Sequence, residues 1–144
     1  MGLTTLPSEL ICVPPTVVDQ VWPRISGLIF VAMKKGQVGS FQPVNDAVLA
    51  GHALLWVAWD GESPNIEAAA VTKIEETEWR RVCTIVACGG HQMDRWVHLL
   101  DTIDDYARTE KCSAMRIYGR CGWERVLPAY RRKRVILEKS LCET

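Results

Sequence analysis

The sequence has no surplus of charge of either sign: 17 Lys and Arg offset 17 Asp and Glu. A neutral chain offers no bulk attraction to nucleic acid or to an anionic membrane surface, so neither is expected as a partner. Long apolar runs are also missing. None reaches the roughly 18 residues a membrane span needs, and the stretch 25–33 is closed off by Arg24 and Lys34. Met1-Gly2 lacks the Ser or Thr of a myristoylation signal, because the sixth residue is Leu6. The six cysteines (Cys12, Cys83, Cys88, Cys112, Cys121, Cys142) include no C-x-x-C pair, and no signal peptide opens the chain. Free, mostly buried thiols in a reducing cytoplasm are expected. His52, His91 and His98 stand outside any metal-ligand spacing, so no metal site is expected. No repeat, linker or low-complexity stretch divides the 144 residues, which predicts one domain over 1–144.

What the chain does have is a regular succession of strand and helix signals. Residues 9–13 read as a short strand ended by Pro14-Pro15. Thr16 offers an N-cap hydroxyl, and Val18, Trp22, Ile25, Ile29 and Ala32 follow at helical spacing until Gly36, with Pro23 placed to kink the second turn. A second helix is predicted over 44–50, ending at Gly51. Strands are predicted over 54–59, 66–74 and 79–87, with a turn at Asp60-Gly61 and a polar hairpin tip at 75–78. The wholly apolar stretch 82–87 reads as a strand buried on both faces, near the middle of a sheet.

Cys88-Gly89-Gly90 is expected to break that strand. A long helix then carries Met93, Trp96, Val97, Leu100, Ile103 and Ala107 on one stripe, with Asp94, Arg95, Asp101, Asp105 and Arg108 opposite. A strand at 115–118, a helical turn at 123–129 and a last strand at 134–138 complete the chain.

The strand-Gly-Gly-helix junction is where chemistry could reside. A helix N-terminus leaves backbone N–H groups unpaired and carries about half a positive charge. Two glycines there could let a pyrophosphate approach the main chain, or could simply make a tight turn. His91 reads as a phosphate donor, a proton shuttle or an exposed first-turn residue. Cys88 could gain thiolate character from a helix N-terminus, but no His–carboxylate arrangement accompanies it, so a structural thiol is expected. Trp96 and Trp123 fall on apolar faces and are expected as core anchors; Trp56 and Trp59, three apart, should face opposite sides of their strand, with one of them exposed. The run Arg131, Arg132, Lys133, Arg134 suits either an anion contact or a solvated strand edge.

With CGGHQM at 88–93 and GRCGW at 119–123, the chain resembles the GNAT (GCN5-related N-acetyltransferase) family over residues 9–140, strongly only beyond Trp79, and most closely the short GNAT-like proteins of phage and prophage genomes. The resemblance implies an α/β (α+β) fold, with a mixed, mostly antiparallel central sheet flanked by helices and the order β-α-α-β-β-β-α-β-α-β. It implies acetyl-CoA as cofactor. In the family the strand before the junction splays from its neighbour, so Val86, Ala87 and Cys88 would hold the pantetheine arm. Gly89, Gly90, His91, Gln92 and Met93 would face the pyrophosphate.

Three departures stand out. CGGHQM lacks the family's Gln or Arg lead and its later small residue. With Tyr130 taken as the family's aromatic after a glycine, Arg125 holds the place of its tyrosine acid, and no acidic residue lies in 82–87. No catalytic residue is assigned. The implied activity is acetyl transfer from acetyl-CoA to an amine. The alternative is a non-catalytic phage virion or morphogenesis protein that keeps the scaffold for packing against phage structural proteins, and a CoA-sensing module is a weaker third. Expected partners are an amine substrate, phage structural proteins or a second copy in a homo-oligomer. The expected location is the bacterial cytoplasm, or the virion.

Overall fold

The computed structural model describes residues 9–36, 39–59, 66–118 and 123–142. Strand β1 (Glu9–Cys12) leads into helices α1 (Val18–Gly36) and α2 (Phe41–Ala50). Strands β2 (Leu54–Trp59), β3 (Ala68–Glu76) and β4 (Arg81–Gly90) follow, then helix α3 (Asp101–Thr109), strand β5 (Ala114–Ile117) and the short helix α4 (Trp123–Val126). The sheet order is β1-β2-β3-β4-β5. Neighbours are antiparallel except β4 and β5, which run parallel. The expected mixed, mostly antiparallel α+β architecture is what forms.

Alternation along the strands splits the core in two. Leu55 and Val57 of β2 face α1 and α2, where Trp22, Ile25, Ile29 and Val48 bury against them. Trp56 and Ala58 face the other way, toward Trp96, Leu100 and Ile103. Trp56 is buried, donates its indole N–H to Thr72 Oγ1 at 2.9 Å and meets the Tyr106 ring edge-on. Trp59 packs on the opposite side as expected, but half-buried rather than exposed. The Trp22 indole N–H donates to Asn45 Oδ1 at 2.7 Å and its ring stacks on Phe41, locking α1 to α2.

Several local expectations need correction. Thr16 does not cap α1: the helix is entered through a 3-10 turn, Pro15–Val17, without a side-chain cap. The helix then runs on through Pro23 to Gly36. The Asp60-Gly61 turn lies outside the described residues. The strand expected at 134–138 does not form; the chain there has no regular secondary structure. Val, Ile and Leu favour a strand only when a neighbour supplies a ladder and a face to cover, and none does so here.

The largest correction concerns the glycine pair. Cys88, Gly89 and Gly90 do not break β4. Ala70, Ala69 and Ala68 of β3 pair with them in turn, so the strand continues to Gly90. The glycines are there because other main chain lies against them. A Cβ on Gly89 would sit 2.7 Å from the Leu28 carbonyl oxygen and 2.9 Å from Ala32 Cβ of α1. A Cβ on Gly90 would sit 2.5 Å from both Ala68 Cβ and the Glu67 carbonyl oxygen. Gly27, in the exposed middle of α1, has nothing within 4 Å of the same position.

These environments set opposite outcomes for one substitution. Gly90→Ala is expected to destabilise the fold by about 1–3 kcal/mol, because the contacted atoms belong to a sheet that cannot give way cheaply. Gly27→Ala is expected to stabilise it by roughly 0.5–1 kcal/mol through helix propensity alone. Urea denaturation of the two variants checks both; a neutral Gly90→Ala would contradict the packing described.

Candidate functional site

Strand β4 is longer than its parallel neighbour. The pairing runs from Val82 opposite Ala114 to Ile85 opposite Ile117, where β5 ends, while β4 continues to Gly90. The β3–β4 register shifts at this point: Thr72 pairs with Ile85, but Val71 pairs with Ala87. Val86 is the extra residue of a β-bulge, and with Ala87 it turns toward the α1 side while Ile85 and Cys88 face α3. A bulge bends its strand and sharpens the twist. Here it does so at the residue where β4 and β5 part.

Beyond the bulge, the main chain of β4 has a side that no described strand pairs with. The His91 N–H donates to the Glu67 carbonyl at 3.0 Å. In an antiparallel ladder that bond makes Gly89 and Ala87 the residues that exchange hydrogen bonds with β3. The N–H and C=O groups of Cys88 and Gly90 therefore point away from β3, to the side β5 has left.

That side is a cleft of about 660 Å³, within the range of small-molecule sites. Val86, Ala87, Cys88, Gly89 and Gly90 form its floor, and His91 and Met93 continue it. These seven of the eight residues singled out from sequence come together; Gln92 is not in the lining. One wall is the C-terminal half of α1, with Leu28, Ala32, Met33 and Lys35. The other is Ile117 and Tyr118 at the end of β5, with Trp123, Arg125 and Val126 of α4. Lys35, His91 and Arg125 are exposed, and no carboxylate is among the described lining residues. Tyr130 is half-buried outside the lining, and burial raises its hydroxyl pKa.

The helix expected to start at the glycines is not one helix. Gln92 adopts a left-handed backbone conformation, two 3-10 turns follow (Met93–Arg95 and Val97–Leu100), and α3 begins only at Asp101. The apolar stripe faces inward as expected: Met93, Trp96, Leu100, Ile103 and Ala107 all join the core under the sheet. The backbone tightens because Trp96 is drawn inward. Its indole N–H donates to the His91 carbonyl at 2.9 Å, which ties the loop back to the end of β4. Arg95 grips the Glu67 carboxylate through Nε and Nη2, fixing the same corner from outside. The α3 N-terminus therefore does not sit at the Gly-Gly end of β4, and the helix-dipole argument made for that junction does not apply. Positive charge comes instead from side chains on the walls.

Cys88 forms part of the floor with a buried thiol, which burial pushes up to about 12. It is a protonated, inert sulfur at neutral pH. The described cysteines, Cys12, Cys83, Cys88, Cys112 and Cys142, are all free. Sequence reasoning did not find the α1 wall. The one available signal was a small residue, Ala32, one turn after Leu28, with Gly89 waiting opposite.

No protein-family model matches the sequence, and no curated protein is significantly similar to it. Solved structures are similar in shape. An aminoglycoside acetyltransferase from an uncultured soil metagenomic sample, in complex with sisomicin, superposes with a TM-score of 0.66 at 9% identity, covering 93% of this chain and 96% of the other. An aminoglycoside N-acetyltransferase in complex with CoA gives 0.57 at 14%, covering 93% and 95%. An acetyltransferase of Trypanosoma brucei gives 0.58 at 11%, covering 92% and 99%. Identities this low speak for the fold alone. The chain has the GNAT acetyltransferase fold, built around a β4 that outruns its parallel partner.

Proposed function

We propose that the chain is an acetyl-CoA-dependent N-acyltransferase whose cleft holds the cofactor along the open edge of β4. The observation that carries this is the parting of β4 from β5 at Ile85 and Ile117, which leaves main-chain groups of Cys88 and Gly90 without a strand to bind them among the described residues. A pantetheine arm, with its two amides, is a chemical match for such an edge. Lys35, His91 and Arg125 supply donors suited to the phosphates. Two similar structures carrying CoA and an aminoglycoside support the same reading.

When bound, acetyl-CoA supplies an activated thioester. The chain's part is to hold it straight along β4, beside a space for the amine, so that attack is effectively unimolecular. A main-chain N–H on the open edge donates to the carbonyl oxygen on which negative charge develops. The amine forms the new C–N bond as the C–S bond breaks, and its proton leaves with the thiol or through water. The Cys88 thiol, held protonated, takes no part as a nucleophile. With no carboxylate among the described lining residues, the acceptor enters as the free amine.

A second reading, a non-catalytic phage virion or morphogenesis protein, draws on one observation. Both glycines of the expected cofactor loop are consumed by packing against α1 and β3.

Acetyl-CoA at a hundredfold excess over its Kd is expected to stabilise the fold by about 2.7 kcal/mol, read as a rise in Tm. Replacing Lys35 and Arg125 together by Ala is expected to weaken binding at least tenfold, on the order of one lost charge-assisted contact. No rise in Tm at millimolar acetyl-CoA would remove the transferase reading and leave the scaffold one. With an amine panel and a thiol-release assay, the rate is expected to climb about tenfold per pH unit below the acceptor's pKa, since only the neutral amine attacks. Alkylation of Cys88 in the native chain at about pH 8 is expected to be at least 100-fold slower than that of the exposed Cys142. Rapid labelling of Cys88, followed by mass spectrometry, would point to a covalent acyl-enzyme instead.

A further inference from the structure

The turn between β3 and β4 holds a tryptophan out in solvent: Trp79 is 83% exposed. The turn that carries it is well tied. Thr77 donates its N–H to the Arg80 carbonyl at 2.9 Å, and its hydroxyl oxygen accepts from the Trp79 and Arg80 N–H groups at 3.1 and 3.2 Å. Arg81 and Arg116 hold Glu76 and Glu75 beside it, at 2.7 and 3.6 Å. A tryptophan fixed in water is an anchor that has no seat on its own chain. A matching hollow lies elsewhere. Phe30, Met33, Lys34, Gly39 and Phe41 line a groove of about 360 Å³ between α1 and the start of α2. The Phe30 and Phe41 rings meet edge-on with centroids 5.4 Å apart, and Phe30 is 48% exposed. Such a groove is large enough to take a ring-bearing group.

We infer that Trp79 of one copy seats in the α1–α2 groove of a second copy, and that the contact is reciprocal. A chain cannot fill its own groove. Leu28 and Ala32 lie against Gly89, so the C-terminal half of α1 sits over the far end of β4. The 10 residues of β4 put roughly 33 Å between that end and the turn. Two copies side by side and antiparallel bring each turn to the other's groove, which closes the pair about a two-fold axis. The chemistry of the two surfaces agrees. An indole laid on the Phe30 and Phe41 pair extends the edge and offset contacts that aromatic rings favour. Lys34 in the groove carries the charge opposite to Glu78, the exposed neighbour of Trp79. An ammonium is also attracted to the face of an indole ring. Met33 lines both this groove and the cleft along β4, so a seated Trp79 presses on a residue of the cleft wall. Neither surface depends on the chemistry performed in the cleft.

The test is sedimentation velocity of the full chain from roughly 1 to 100 μM, where a dimer is expected to form. Trp79→Ala is expected to raise the dimer dissociation constant at least tenfold, on the scale of a central interface tryptophan. Because Trp79 is exposed in the single chain, the circular dichroism and monomer Tm of that variant should match the parent. Lys34→Glu and Glu78→Lys are each expected to weaken the dimer severalfold. Together they should recover most of the loss, since the pair is then reversed. A monomer at every concentration overturns the inference. A dimer indifferent to Trp79→Ala overturns it too, as does a reversed pair no tighter than either single variant, because the contact would then lie elsewhere.

Discussion

Everything around the cleft follows from a mismatch in strand length. β4 and β5 run side by side for four residue pairs, and then only β4 goes on. The bulge at Val86 falls at that point and inserts one residue, so the strand changes both direction and facing as it loses its neighbour. Without the bulge, the main-chain groups of Cys88 and Gly90 would alternate in a different phase. Without the shorter β5, they would be occupied by a ladder. Open hydrogen-bonding groups inside a folded chain are costly unless water or a ligand meets them. The cleft makes that possible without unravelling the sheet.

The corner after Gly90 shows how tightly this arrangement is held. His91 donates its N–H to the Glu67 carbonyl and its own carbonyl accepts from the Trp96 indole, while the Glu67 side chain is gripped by Arg95. Three directional donors, the His91 main-chain N–H, the Trp96 indole and the Arg95 guanidinium, thus converge on one turn. The loop is fixed before any ligand arrives, which lowers the ordering cost of binding.

Much of this was legible in the sequence, and the misses have physical causes. Strand 54–59 was readable to the residue, because LLWVAW is apolar on both faces and bounded by Gly51 and Asp60-Gly61. The stripe from Met93 to Ala107 was readable because burial follows side-chain spacing. Its helical backbone was not, because the Trp96 indole bonds to a carbonyl outside the helix. Gly89-Gly90 was read as a stop, since local propensity cannot tell a turn glycine from one pressed against Leu28 and Ala68. The 134–138 strand was read from propensity that only a neighbour can realise. The residues at the cleft floor were found through family resemblance, whereas its α1 wall needed three-dimensional knowledge.

The contact between Gly89 and Leu28 has one more implication. Helix and strand touch there through main chain on both sides, at a spacing no side chain can adjust. Depth at that point is therefore a constant of the architecture rather than a variable of the sequence. Tailoring the cleft to a larger or smaller occupant must fall to residues with free ends, Met33 and Lys35 on one bank and Tyr118, Arg125 and Val126 on the other. Related chains of differing selectivity should diverge on the banks while the bed stays the same.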